Sequence, residues 1–299
     1  GIGDAIPTVL TMTVVPILGA GSSMADYRIG FKWWALIIAV VFVISELVCV
    51  ACVPERPVAC DEKPGKISDM FKALFKNDQA MTVVVSIILV YTSLNICGNL
   101  VLYFFRFDVG NEGAYSIFAA VAFAAQVLVM MVIPLLRKRF SKSQLFISGF
   151  IIQIAGFAVI LIMAFAKLYT PQSWYILCLP GILIYLGYGM LNVIMTIFLS
   201  DSVDYGEVMN GTREESVIFS MQTFTVKLAS GVAVFLAGLV VDWIHLDTAA
   251  AVQTQDTLDA LRMWMTIPSV ILLIVGIFVF KRFYKLDDTR MEEIKSKLN

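Results

Sequence analysis

The chain has 299 residues, 59% of them hydrophobic and 15% charged, with a mean hydropathy of +0.85 and a formal net charge of −1. Soluble domains carry about 25% charge, so a solvated globular enzyme is excluded, and the balanced charge gives no reason to invoke nucleic acid. Apolar runs of about 20 residues, long enough to cross a hydrocarbon core, define a polytopic membrane protein.

Eight spans follow in chain order, at about 3–21, 33–53, 80–105, 115–136, 144–166, 174–200, 215–241 and 263–281. Each is apolar around most of its circumference, which fits helices and not the alternating strands of a barrel. The fold class is therefore an all-α membrane protein. Gly1 already stands at the start of an apolar segment with no charged leader, so the sequence is expected to be a piece whose beginning lies upstream. Cys49 and Cys52 form a C-x-x-C inside a lipid-length helix, with no second pair and no neighbouring histidine. That context suits a structural role rather than a redox or zinc site.

Residues 1–53 hold two spans, and the connection 54–79 separates them from a six-span unit, 80–284, and a tail, 285–299. Within the connection, Pro64-Gly65 precedes Ile67, Met70, Phe71, Leu74 and Phe75 on one helical face, with Lys66, Lys72 and Lys76 largely off it. This predicts a short amphipathic helix, lying on the inner leaflet or packed on the bundle ends. Sixteen of the 22 Lys and Arg fall in the connections around 54–79, 137–142 and 213 and from Lys281 onward; five fall in the alternate set. The positive-inside rule makes the first set, and the C-terminus, cytoplasmic.

In the third span Asn95 and Asn99 share a face with Tyr91 and Tyr103. Such a ladder suits a hydroxyl-rich ligand, because amides donate and accept while rings cover a sugar's apolar face; interhelical hydrogen bonding is the alternative. Asn192 in the sixth span carries the same two readings. Beyond it come Asp201, Asp204, Tyr205, Glu207 and Arg213, where carboxylates and a guanidinium can pair across helix ends and close one mouth, or simply be solvated. Gly206 and Gly211 are expected to allow tight turns there.

The seventh span places Ser216, Ser220, Thr223, Lys227, Ser230 and Gly231 at three- and four-residue steps, with Gln222 beside them. Lys227 is too deep to snorkel, so it needs either an aqueous cavity or an ion-pair partner, Glu46 or carboxylates outside this chain. The connection 242–262 carries Asp242, His245, Asp247, Asp256 and Asp259, a solvated loop in preference to a metal site. The tail mixes both signs and reads as solvated helix or coil. No nucleophile set, metal-ligand spacing or phosphate loop indicates an enzyme, a metal or a cofactor.

Asp201-Ser-Val-Asp204-Tyr205-Gly206-Glu207, Arg213-Glu214-Glu215 and Ser220-Met-Gln222-Thr223-Phe-Thr-Val-Lys227 resemble the region around helices ten and eleven of the glycoside–pentoside–hexuronide:cation symporters. Lys76-Asn77-Asp78-Gln79 and Arg282-Phe-Tyr284 are similar too. The resemblance implies a major facilitator fold in which the eight spans are helices five to twelve of twelve. It implies that Lys227 faces acidic residues of the N-terminal bundle, and that Thr223 lies near the cation site. It also implies that Asp201, Asp204, Glu207 and Arg213 help close the cytoplasmic side. Most cation ligands and sugar contacts of that family belong to helices one to four, which this chain lacks and which function would require. Asn192 replaces a tryptophan of helix ten, a departure that admits an anionic uronide or sulfonated sugar drawn to Lys227.

The expectation is a bacterial inner-membrane transporter coupling Na⁺ or H⁺ to a sugar or sugar conjugate by alternating access. Lys227, Thr223, Gln222, Asn95, Asn99 and Tyr91 would line the cavity, and Asp201, Asp204, Tyr205, Glu207 and Arg213 the cytoplasmic gate. The alternatives are a facilitator of a lipid or drug on the same fold, or a non-transporting sugar sensor.

Overall fold

The computed structural model describes residues 10–11, 14–20, 24–52, 75–211, 213, 215–248, 250 and 252–298. The chain divides into two units, Gly1–Gly65 and Lys66–Asn299, each described by itself. Among the described residues seven helices are long and apolar enough to cross a membrane. Of the first predicted span, residues 10–11 and 14–19 are helical; the rest of it, and nearly all of the predicted amphipathic helix, lie outside the described residues.

In the N-terminal unit, helix α1 spans Met24–Cys52 and starts earlier than expected, taking Arg28 and Lys32 into the helix. Gly30 permits a close approach to the preceding helical segment: a Cβ there would sit 2.1 Å from the Val15 carbonyl oxygen. Trp34 Nε1 donates to Thr11 Oγ1 at 2.8 Å beside that contact. Cys49 and Cys52 are free, exposed thiols on α1.

The C-terminal unit contains α2 (Asp78–Tyr103), α3 (Ala114–Leu136), α4 (Lys142–Phe165), α5 (Cys178–Asn210), α6 (Glu215–Trp243), α7 (Gln255–Phe283) and α8 (Asp288–Leu298). Local signals fix several helix starts. Asn77 caps α2 by accepting from Ala80 N, and Ser141 with Gln144 forms a capping box on α4. A π-helical turn, Phe104–Val109, ends α2 at the left-handed Gly110. Helix α2 packs on α5, α6 and α7, while α4 and α5 make the most extensive pairing. Their seam is glycine-lined, since a Cβ on Gly187 would lie 2.5 Å from the Gly149 carbonyl oxygen. Phe146, Phe150, Phe198 and Phe280 fill the adjoining core, with Phe146 4.9 Å from Phe150, 5.1 Å from Phe198 and 4.6 Å from Phe280 between ring centroids. The buried face of α6 is small along its middle, Thr225, Ala229, Ala233 and Ala237, with Val217 and Ile218 buried at one end and Val240 at the other.

Three expectations change. Helix α5 continues to Asn210, so Gly206 is helical and makes no turn; its missing Cβ admits the Asn77 amide. Only Gly211 turns the chain, with φ at +74°. Helix α7 begins at Gln255, so Asp256, Asp259 and Arg262 lie in its first turns and not in a solvated loop. Charge suggested a loop there, yet Arg262 is neutralised inside the unit. The tail is not free in solvent, because α8 buries Met291 and Ile294 with Leu286 against Tyr205 and Val208.

Candidate functional site

An open polar face of α6 forms the first part of the site. At 100° per residue, Ser216, Ser220, Thr223 and Lys227 project opposite the Thr225–Ala229–Ala233 seam. All four are exposed. Among the described residues of its own unit, Lys227 has no acidic partner within ion-pair distance. Gln222 departs from the expected stripe: it is half-buried and sits about 100° from Thr223, towards the packed side. On the other flank of the polar stripe, Phe224, Leu228, Val232 and Phe235 are exposed and uncovered by the described residues of this unit.

The α2 ladder supplies the second part. Asn95 Nδ2 donates to the Tyr91 carbonyl and Asn99 Nδ2 to the Asn95 carbonyl, both at 2.7 Å. Each amide is thereby oriented by its own helix, leaving its Oδ1 as an acceptor. Asn192 of α5 donates to the Tyr91 hydroxyl at 2.5 Å, and the Tyr91 ring meets Tyr188 edge-on at 5.5 Å. Tyr91 and Asn192 therefore act as one polar pair joining α2 to α5. Near the far end of this face, Asn99 and Tyr103 border a cavity of about 560 Å³ with α6.

The sequence-predicted gate separates into two clusters at the lysine- and arginine-rich end. Arg213, half-exposed, bonds Glu207 at 2.8 Å, Glu215 at 3.1 Å and Asp204 at 3.2 Å. The Glu207 hydrogen bond leads the effects that hold its guanidinium even more firmly protonated than usual. Asp201 takes no part in that cluster. It is buried against the Lys142 ammonium, which also lies 3.5 Å from Asp288. Arg137 reaches the same Asp288 at 3.3 Å, so α4, α5 and α8 meet in one charged knot. Tyr205 lies beside Asp78 and packs on the α8 cluster. Tyr284 lies beside the knot; burial, then Asp201, Asp288 and Asp287, raises its phenol well above the usual range.

Sequence reasoning missed Lys142 and Asp288, each of which read as a solvated loop or tail charge. It also missed Asp108, Tyr169 and Arg262 at the opposite end. There Arg262 Nε donates to Asp108 at 2.9 Å and Nη1 to Asp259 at 2.7 Å, while the Tyr169 hydroxyl donates to Asp108 at 2.6 Å. Both side chains of the Arg262–Asp108 pair are almost fully buried. The available signal was the lone Asp108 within an aromatic run that ends the third span.

The MFS/sugar transport protein family model matches residues 2–288. The chain is similar to an uncharacterized symporter of Bacillus subtilis, 24% identical over 97% of this chain and 61% of the relative. It is also 23% identical to the raffinose carrier protein of Pediococcus pentosaceus, over 99% of this chain and 46% of the relative. The isoprimeverose transporter of Lactiplantibacillus pentosus is 25% identical, over 96% and 58% respectively. The chain thus spans about half the length of the curated relatives it matches.

Proposed function

Because the chain belongs to the MFS/sugar transport protein family, a family of transporters and not enzymes, we propose that it contributes the C-terminal part of a cation-coupled sugar symporter. The cargo is a glycoside, pentoside or hexuronide, the coupling ion is Na⁺ or H⁺, and the mechanism is alternating access. The basic end is cytoplasmic, as the positive-inside rule requires, in a bacterial inner membrane. The raffinose carrier and the isoprimeverose transporter among the relatives support a glycosidic cargo.

One observation carries the reading. Lys227 stands mid-span on an open polar face without an acidic partner among the described residues of its own unit, and the amide ladder of α2 is partly exposed. An ammonium at such depth demands water or carboxylates supplied from outside the unit. In an alternating-access transporter both come from the facing bundle, where coupling carboxylates and sugar meet near the midplane. Lys227, Thr223, Asn95, Asn99 and Tyr91 line that cavity, with Gln222 at its packed edge. Asp204, Glu207 and Arg213 form the breakable cytoplasmic contact; Asp201 and Tyr205 support it by holding α8 and Asp78 to α5.

The test uses membrane vesicles containing the complete gene product and labelled glycosides, uronides and pentosides, with and without an imposed Na⁺ or H⁺ gradient. Gradient-driven accumulation of one sugar is the expected result. A folded protein that takes up none of the panel would overturn the sugar reading in favour of a lipid or drug facilitator or a sensor.

A further inference from the structure

The cavity of about 560 Å³ between α2 and α6 lies away from the Lys227 level, towards the end of the unit opposite the basic cluster. Gly238 is eleven residues beyond Lys227, or about 16 Å along a helix. The volume falls within the range of small-ligand sites, about 300–1,000 Å³. Its polar lining is Asn99, Tyr103 and Asp242, and its apolar lining includes Val234 and Phe235. The space in front of Gly238 is open, since a Cβ there would meet nothing within 4 Å. Asp242 is exposed and has no ion-pair partner among the described residues.

We propose that this cavity is an outer subsite that holds a neutral, hydroxyl-rich ring before it moves to the central site. The proposal rests on the sugar-transport reading and names a preference within it. The Asn99 Nδ2 is committed to Asn95, so its Oδ1 presents an acceptor. The Asp242 carboxylate is also an acceptor, the Tyr103 hydroxyl both donates and accepts, and the Phe235 and Tyr103 rings offer apolar faces. Two acceptors in a described lining without Lys or Arg suit vicinal hydroxyls, which donate. They repel a carboxylate or sulfonate, so the subsite favours neutral glycosides over uronides and sulfonated sugars, opposite to the bias that Lys227 alone would give.

The test compares influx of a neutral glycoside and its uronate analogue by the complete gene product in vesicles, for wild type, Asp242→Asn and Gly238→Leu. Asp242→Asn exchanges a charge for an isosteric amide at an exposed position. It is expected to raise KM for the neutral sugar severalfold and lower it for the uronate. Gly238→Leu projects a bulky side chain into the cavity and is expected to raise KM for the neutral sugar about tenfold, the loss of one good contact set. An unchanged KM in both variants, or an equal change for both sugars in Asp242→Asn, overturns the subsite. A wild type that accumulates no sugar at all overturns the transport reading beneath it, which is a separate result.

Discussion

Lys227 lies twelve residues into α6, about 18 Å from its start at 1.5 Å per residue, and no described residue of its own unit neutralises it. Replacing it with alanine should abolish gradient-driven accumulation while leaving the amount of protein in the membrane near wild type. Accumulation at the wild-type level would remove Lys227 from the cavity. Arg262 presents the reverse situation, a guanidinium completely partnered and almost fully buried. Arg262→Gln strands Asp108 without its counter-charge and should cost about 3–5 kcal/mol, read as a lower melting temperature in detergent. The double variant with Asp108→Asn should recover part of that loss. Tyr169 adds a pH signature. Burial, then the Asp108 carboxylate, raises its phenol above the ordinary value. Its stabilising contribution is therefore complete below the unfolded value near 10 and is lost as pH rises through the folded one. Tyr169→Phe should flatten the alkaline fall in stability, which an unaltered fall would contradict. Lys227 was legible because its depth in an apolar run isolates it along the sequence. Asp108 and Arg262 were not, because 154 residues separate them and only the fold shows that each cancels the other.

Helix α8 shows what a one-dimensional reading of charge loses. Its alternating signs suggested a solvated tail, yet Leu286, Met291 and Ile294 close over the Tyr205 face of α5 while Asp288 enters the knot with Lys142 and Arg137. Ile294→Asp should detach α8 and increase protease cleavage after Tyr284, with α5 left intact; an unchanged cleavage pattern would argue against docking. The Asp204–Arg213 contact is of another kind. Exposed pairs contribute about 0–1 kcal/mol, too little to hold the fold but enough to bias two conformations of similar energy. Asp204→Asn should make cysteines placed at the basic mouth more accessible and those at the other mouth less so. Equal accessibility at both mouths would sink the gate. The spans themselves were legible, since long apolar runs permit only helices in a bilayer. Their ends were not, because α5 and α7 each carry charged residues that the bundle neutralises.

At the scale of the molecule, the unequal distribution of Lys and Arg sets orientation before any tertiary contact forms. A reporter fused after Asn299 should read cytoplasmic, and one inserted between Lys167 and Ser173 should read external; the opposite pair of readings would invert every side assigned above. The family was legible in the block from Asp201 to Lys227, and the match over residues 2–288 agrees with it. Cargo and coupling ion were not legible, because amides, hydroxyls and one ammonium suit many polar ligands. The alanine seam of α6 has a mechanical consequence. Large side chains interlock, so a helix gripped by them must open holes before it can shift. Thr225, Ala229, Ala233 and Ala237 offer α2 a shallow track instead. Along that stretch α6 meets α2 with little side-chain interlock, and Lys227 is carried on the face of α6 turned away from the seam.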